Sequence, residues 1–382
     1  MKRIAILGST GSIGKNTLKV IEAFRGRFRV VGLSAYSNVD NLSIQAKRFS
    51  AKWVCLVDDF AAKKAKSKLP SSYNILSGSQ GLCDLIRVCG ADSVVFAITG
   101  SQALMPLLEA IRLKKTIILA NKEALVIAGS IIIQQAKKNR VKILPVDSEQ
   151  SAIWQCLNGR ENKQTRRIYL TASGGPFKDC NQSQIRHISL KDVLSHPCWR
   201  MGKKITVDSA TLMNKGFEVI EAMWLFGLNL SQIKVVIHPE AVIHSMVEFT
   251  DGIILAQLSI TDMRIPIQYA LTYPNHLKNL LKPLNFFKLK KLSFQKPDIK
   301  RFPCLRLAFE AAKEKGTLPC VLNAADEIAV AAFLNKRINF VDIPEIIAKV
   351  IDRHKKINNP SLEEILFTDA WARNQANLML RG

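Results

Sequence analysis

From residue 3 to residue 147, short runs of aliphatic and β-branched residues alternate with longer stretches whose apolar positions recur at helical spacing. Strands are predicted over 3–7, 29–34, 53–57, 93–97, 116–120 and 142–146, and helices over 14–24, 39–49, 59–68 and 103–113. Strand–helix alternation of this length is the pattern of a doubly wound α/β domain. Beyond residue 147 the texture changes. Polar motifs separate strands predicted over 167–171, 234–237 and 253–257. Residues 274–303 are rich in proline and lysine, follow no period, and read as a linker or crossover. From Cys304 onward the period is helical again, over 305–315, 320–335 and 343–355, which predicts a small C-terminal helical domain. No internal repeat or low-complexity tract interrupts this plan.

Composition narrows the class. A chain of 382 residues can bury more than one core, so two or three domains are expected. With 48% hydrophobic and 23% charged residues it has the balance of a globular protein, and no stretch reaches the ~18 uncharged apolar residues of a membrane span. The N-terminal apolar run, 4–7, is too short for a signal-peptide core and leads straight into a glycine turn. It reads as a first strand, with a cytoplasmic location. The eight cysteines form no C-x-x-C pair and histidines are few, which argues against a zinc cluster or a disulfide framework and for reduced thiols. The formal charge of +24 raises nucleic acid as a partner. The cations are dispersed, however, at 63–68, 137–142 and 288–291, with no arginine-rich arm or RNA-binding aromatic motif. They read as a solvated surface, with no nucleic-acid or membrane partner.

Gly8, Gly11 and Gly14 follow the first strand and open the first helix. Glycine allows a tight turn and close approach of a pyrophosphate, and the helix start offers free N–H groups to it. The G-x-x-G-x-x-G spacing departs from the commoner G-x-G-x-x-G, but the strand–turn–helix context predicts a dinucleotide site. At the end of the second strand, Ser34-Ala35-Tyr36-Ser37-Asn38 holds no acid to bind a ribose 2′-hydroxyl, which leaves room for the 2′-phosphate of NADP. It holds no base to bind that phosphate either.

Two polar knots interrupt the apolar pattern. In Val146-Asp147-Ser148-Glu149, a continuing strand would point Asp147 and Glu149 to one face. Paired carboxylates repel unless a cation intervenes, and oxygen ligands suit Mg²⁺ or Mn²⁺. A solvated turn is the plain alternative. The second knot, 196–218, concentrates hydroxyls, cations, an amide, a tryptophan and a carboxylate, as a site for a small anion would. A helix predicted from about Ala210 would put Asn214, Lys215 and Glu218 on one face. The plain alternative is a solvent-facing Lys215–Glu218 pair, with Asp208 to Thr211 as an ordinary N-cap. Apolar neighbours, among them Phe217, Ile220 and Trp224, favour a cleft wall. His238 and His244 read as packed or hydrogen-bonded at strand ends, and the stripe 324–334 as helix packing.

Taken together, residues 7–15 (LGSTGSIGK), 119–127 (LANKEALVI), 145–156 (PVDSEQSAIWQC), 171–178 (TASGGPFK), 196–218 and 238–253 (HPEAVIHSMVEFTDGI) resemble the 1-deoxy-D-xylulose 5-phosphate reductoisomerase family. So do 261–275 (TDMRIPIQYALTYPN) and 323–335 (NAADEIAVAAFLN). The resemblance implies a Rossmann-like NADP-binding domain over 1–147, a central α/β catalytic domain over 148–273, a linker over 274–300 and a C-terminal helical bundle domain over 301–382. It implies rearrangement of 1-deoxy-D-xylulose 5-phosphate and reduction by NADPH to 2-C-methyl-D-erythritol 4-phosphate, an isoprenoid precursor, by a homodimer.

Residue by residue, the resemblance implies metal ligation by Asp147, Glu149 and Glu218. Lys122, Ser148 and Glu149 would meet the hydroxyl-bearing end of the substrate, and Ser173, Ser209, Asn214 and Lys215 its phosphate, with His196 beside them. Thr10, Gly11, Ser12, Ile13, Asn38, Asn121, Glu123 and Gly202 match cofactor positions, and Ser37 occupies another. Residues 196–202 match a flap in which Trp199 closes over the substrate. The chain departs from the family at Tyr36 and Ser37, where relatives often carry Gly and then Lys or Arg, and this leaves the preference for NADPH over NADH open. The first proton acceptor is also open, between Glu149 and a metal-bound water.

Two other readings compete. A metal-dependent aldolase or phosphatase on a vestigial nucleotide fold would not consume NADPH, and a nucleic-acid-binding protein would bind DNA or RNA in a salt-sensitive way and tolerate Asp147→Asn.

Overall fold

The computed structural model describes residues 1–160, 162–195, 202–279 and 281–380. Two compact units emerge. The first comprises residues 1–124, 132–151 and 262–282, and the second residues 125–131, 152–261 and 283–382.

The elements run in chain order. They begin β1 (Lys2–Leu7), α1 (Ser12–Ala23), β2 (Phe28–Ala35), α2 (Val39–Phe49), β3 (Trp53–Leu56), α3 (Asp59–Lys68), β4 (Asn74–Ser77), α4 (Gly78–Val88), β5 (Ser93–Phe96), α5 (Leu104–Arg112), β6 (Thr116–Leu119), α6 (Glu123–Asn139), β7 (Ile143–Pro145) and α7 (Ser148–Leu157). There follow β8 (Thr165–Ala172), α8 (Gln182–Ile185), α9 (Leu190–Val193), α10 (Lys203–Ala210), α11 (Met213–Phe226), β9 (Ile233–Ile237), β10 (Ile243–Phe249), β11 (Ile254–Leu258) and α12 (Arg264–Thr272). The chain closes with α13 (Pro303–Glu314), α14 (Leu318–Leu334), α15 (Asp342–Asp352) and α16 (Leu362–Met379).

In the first unit all seven strands are parallel, in the order β4-β3-β2-β1-β5-β6-β7. Helices on both faces leave the strands no solvent side. Ile4, Ile6, Leu7, Val94, Phe96, Ile117 and Leu119 are accordingly all fully buried. Chain order reverses on either side of β1, and such a switch point opens a crevice beyond the strand ends where ligands bind. The pattern located every strand but β4, whose four residues are not fully buried and carry no apolar run. It also passed over α4, α6 and α16. Helix α12, remote in sequence, packs against α1 and touches β7.

The second unit is built on a mixed sheet ordered β11-β10-β8-β9, in which only β8 and β9 are parallel. Helix α11 lies over it. Val219, Ala222 and Phe226 pack with Ile168, Leu170 and Val247 of the sheet. The opposite side of α11 packs against α13, where Phe217 and Ile220 join Leu305 and Ala308 in the larger apolar core. A helix covered on both sides is buried along most of its length, and α11 is, its charged residues Lys215, Glu218 and Glu221 included.

Two local expectations are corrected here. The chain does not continue as a strand through Asp147 and Glu149. β7 stops at Pro145, the amide of Ser151 donates to the Asp147 carbonyl (2.8 Å), and Glu149 sits in the first turn of α7. Nor does one helix run from Ala210. Residues 208–210 end α10, Leu212 turns left-handed (φ 61°), and α11 begins at Met213. Asp208 is therefore in a helix interior and not at an N-cap.

Close packing of α11 on α13 depends on Gly216, where an added Cβ would lie 2.3 Å from the Ala308 Cβ. Gly216→Ala is expected to destabilise the fold by about 1–3 kcal/mol in urea unfolding, the usual cost of overpacking.

Candidate active site

The glycines of the first turn have three different duties. Gly8 adopts φ +84°, and a Cβ there would lie 2.5 Å from the Ala97 carbonyl oxygen. At Gly14 a Cβ would lie 2.3 Å from the Gly8 oxygen, so helix α1 can approach β1 only because that atom is missing. Gly11 is exposed, has ordinary φ (−74°), and a Cβ would meet nothing nearer than 3.4 Å. Internal packing does not demand a glycine there, and the missing side chain leaves the turn open. Gly11 is the N-cap of α1 with no side-chain cap and no acid in the first turn, so the helix presents unscreened N–H groups beside Thr10, Ser12 and Ile13. Ser9 braces the turn, its hydroxyl donating to Gln45 Oε1 (2.7 Å) while its amide donates to the Ser34 carbonyl (2.8 Å).

At the end of β2, Tyr36, Ser37 and Asn38 are exposed. Asn38 caps α2 by accepting from the Asn41 amide (3.1 Å). The nearest acid, Asp40, is ion-paired with Lys68, which holds its carboxyl below the usual range.

The ends of β6 and β7 carry the first acidic group. Asn121 ties the strand ends together. Its amide nitrogen donates to the carbonyls of Ile98 (3.1 Å) and Gly100 (3.0 Å) and to Glu123 (3.0 Å), and its oxygen accepts from the Ala124 amide (2.9 Å). Lys122 is buried and ion-paired with Asp147. The Ser148 hydroxyl donates to Glu149 (2.6 Å).

The second group lies on α10, α11 and the loop after β8. Glu218 is fully buried, accepting from Asn214 Nδ2 (2.7 Å) and from the Lys215 ammonium. The expected i,i+3 and i,i+4 geometry holds, but in the interior and not as a solvent-facing pair. Gly175 (φ +68°), in the loop that bears Ser173, lies so near that a Cβ would be 3.0 Å from the Ser209 carbonyl oxygen. In the first unit one oxygen of Asp147 lies within 4.8 Å of one of Glu149, while Glu218 belongs to the second unit. Two carboxylates at such spacing repel, and an all-oxygen donor set of this kind suits a hard divalent cation.

Family models match three stretches of the chain. They are 1-deoxy-D-xylulose 5-phosphate reductoisomerase over 4–129, that enzyme's C-terminal domain over 143–226, and the DXP reductoisomerase C-terminal domain over 258–375. A reductoisomerase of Caldanaerobacter subterraneus subsp. tengcongensis is 49% identical over 376 residues, 98% of each chain. One of Thermoanaerobacter sp. is 50% identical over 372 residues, 97% of each. The chain belongs to the 1-deoxy-D-xylulose 5-phosphate reductoisomerase family. Its fold is also that of solved reductoisomerases. The Zymomonas mobilis enzyme in complex with NADPH superposes with TM-score 0.92 at 42% identity, covering 99% of both chains. A reductoisomerase in complex with NADPH, fosmidomycin and magnesium superposes with TM-score 0.93 at 40% identity, covering 100% of this chain and 98% of that one.

His196 and Trp199 lie outside the described residues; Gly202 is described, and is the exposed N-cap of α10. His238 is buried as expected, its ring stacked on Phe294 and its Nδ1 2.9 Å from the Ser293 carbonyl. The sequence reading passed over the buried Asp326 and its partner Lys204, and took Asp208, the second partner of Lys204, for part of an N-cap. The available signal was an acid set inside the apolar stripe of α14.

The distinct duties of the glycines give a paired test. Gly11→Ala is expected to fold with less than ~1 kcal/mol change, since no overpacking arises, yet to weaken dinucleotide binding by roughly tenfold or more. Gly14→Ala is expected to lose stability first. Equilibrium unfolding and dinucleotide titration of the two variants separate these effects.

Proposed function

We propose that this chain rearranges 1-deoxy-D-xylulose 5-phosphate and reduces the resulting aldehyde with NADPH to 2-C-methyl-D-erythritol 4-phosphate, in isoprenoid precursor synthesis. Family membership over nearly the whole chain carries this reading. The paired carboxylates of Asp147 and Glu149 support the metal dependence, and we assign them, with Glu218, as ligands of Mg²⁺ or Mn²⁺. When bound, the metal supplies Lewis-acid polarisation of the substrate ketone and its neighbouring hydroxyl. NADPH supplies the hydride.

The chain's own groups do the rest. Lys122 and Ser148 hold the hydroxyl-bearing end of the substrate, and Glu149 is placed to accept the hydroxyl proton released when the carbon–carbon bond breaks. Ser173, Ser209, Asn214 and Lys215 cradle the phosphate. Because Asn214 and Lys215 also bond Glu218, one turn of α11 sets the spacing between phosphate and metal. Thr10, Ser12 and Ile13 receive the pyrophosphate on backbone N–H groups, and Gly11, whose own N–H donates to the Gly8 carbonyl, leaves room for it. Ser37 and Asn38 face the adenosine end. Asn121, with its amide engaged internally, and Glu123 shape the nicotinamide side, and Gly202 borders it. His196 beside the phosphate and Trp199 as a closing flap residue complete the assignment.

The division of labour follows the same plan, with the cofactor on 1–147, catalysis on 148–273, a linker over 274–300 and a helical domain over 301–382. We assign a homodimer, supported by the outer strand β11, which leaves Ile254 and Leu255 exposed, as is the preceding Ile253. Among the described residues no helix is long and apolar enough to cross a membrane. A cytoplasmic location and the absence of a nucleic-acid partner complete the proposal.

Glu218→Gln keeps the side chain's shape and removes its charge. It is expected to weaken Mg²⁺ or Mn²⁺ binding by at least the ~10–100-fold typical of losing a residue that supports a metal ligand. Turnover should vanish while NADPH titration is unchanged. NADPH consumption with substrate and metal, with and without chelator, is the measurement, and undiminished turnover would refute the ligand assignment.

A further inference from the structure

Away from the three carboxylates, the second unit holds another buried charge cluster. Lys204 Nζ lies 2.6 Å from Asp208 Oδ2, one turn further along α10, and 2.9 Å from Asp326 Oδ2 on α14. The same ammonium stands 4.7 Å from the centre of the Phe217 ring on α11. Asp208 is 2% exposed and Asp326 not at all. Burial pushes the Asp326 carboxyl upward in pKa, and the Lys204 charge opposes that rise. An acid in such a place is costly unless it is paired, and an apolar stripe has no packing need for one.

The helix that this cluster holds is weak on its own. α10 has eight residues, no side-chain cap at its start, and a left-handed residue, Leu212, just beyond its end. So short a helix depends on tertiary contacts. Its apolar contacts, through Val207 and Ala210 in the main core, can slide; a charge pair in a poorly solvated setting fixes distance and direction. Ser209 immediately follows Asp208. Its carbonyl abuts Gly175 of the loop that bears Ser173, and the Leu212 turn carries the chain on to Asn214 and Lys215.

We propose that Asp326 is a positioning residue for the reaction, acting through Lys204 to lock α10 against α14 and thereby to place the Ser209, Asn214 and Lys215 side chains that receive the substrate phosphate. This rests on the phosphate-cradle assignment given above. The device lies more than a hundred residues along the chain from the groups it places, and it touches neither substrate nor cofactor.

The test uses full-length Asp326→Asn, Asp326→Ala, Lys204→Met and Lys215→Ala, with KM and kcat for the phosphorylated substrate, NADPH affinity and thermal unfolding for each. Asp326→Asn keeps the volume and an acceptor for Lys204, so its substrate KM should stay within about threefold of the parent. Asp326→Ala and Lys204→Met should raise that KM by roughly tenfold or more, with kcat changed far less and NADPH affinity unchanged. Lys204→Met retains the stem over Phe217 and decides the matter if the buried Ala variant does not fold. A folded Lys204→Met enzyme with unaltered substrate KM overturns the inference, as does equal loss of substrate and NADPH binding, which marks general loosening. If Lys215→Ala raises KM while the Asp326 and Lys204 variants do not, the positioning role alone falls. If Lys215→Ala leaves KM unchanged, the cradle assignment falls and this inference with it.

Discussion

Glu218 is a carboxylate with no access to water, and much of the second unit is arranged around that fact. Taking such a group out of water costs several kcal/mol, and breaking a buried pair costs ~3–5 kcal/mol. The chain meets this demand one turn upstream, where Asn214 and Lys215 both donate to it. The pair cannot turn outward, because α11 has the mixed sheet on one side and α13 on the other. The same burial that makes the acid expensive also makes it rigid.

The N-terminal unit solves a different problem by different means. Its parallel sheet places the ends of β1, β5, β6 and β7 along one edge, and the loops leaving those ends bear Gly8 to Gly14, Asn121, Lys122 and Asp147. Backbone shape dominates here. Gly14 brings α1 down onto β1, Gly8 makes the turn, and Gly11 keeps the helix start open. Asn121 makes no comparable opening, since its amide is engaged in holding the neighbouring loop in place. The distinctive feature of this unit is thus an open helix start, whereas that of the second unit is a set of polar side chains within helices.

Asp326 extends the logic to the C-terminal helices. Those helices offer the reaction no nucleophile or ligand in the assignment made above, and most of α14 is apolar packing. A single acid aimed at Lys204 gives that packing a direction. It connects the helical core to a short helix that could not hold its register alone.

Much of this was legible in the sequence. Strand positions in the N-terminal unit followed from apolar runs, because strands buried on both faces admit little else, and the exception, β4, is a strand that is not fully buried. The glycine turn and the one-face grouping of Asn214, Lys215 and Glu218 followed from local periodicity. Tertiary structure alone decided the rest. It ended β7 at Pro145 and put Glu149 on a helix, broke the expected single helix at Leu212, and packed α12 onto α1. It also turned an acid in an apolar stripe into the partner of Lys204. Periodicity reports which face of an element is apolar, a property fixed within a few residues. Which distant element covers that face, and whether a charge on it meets water or an opposite charge, depends on contacts between segments far apart in the chain, and these exist only once the chain has folded.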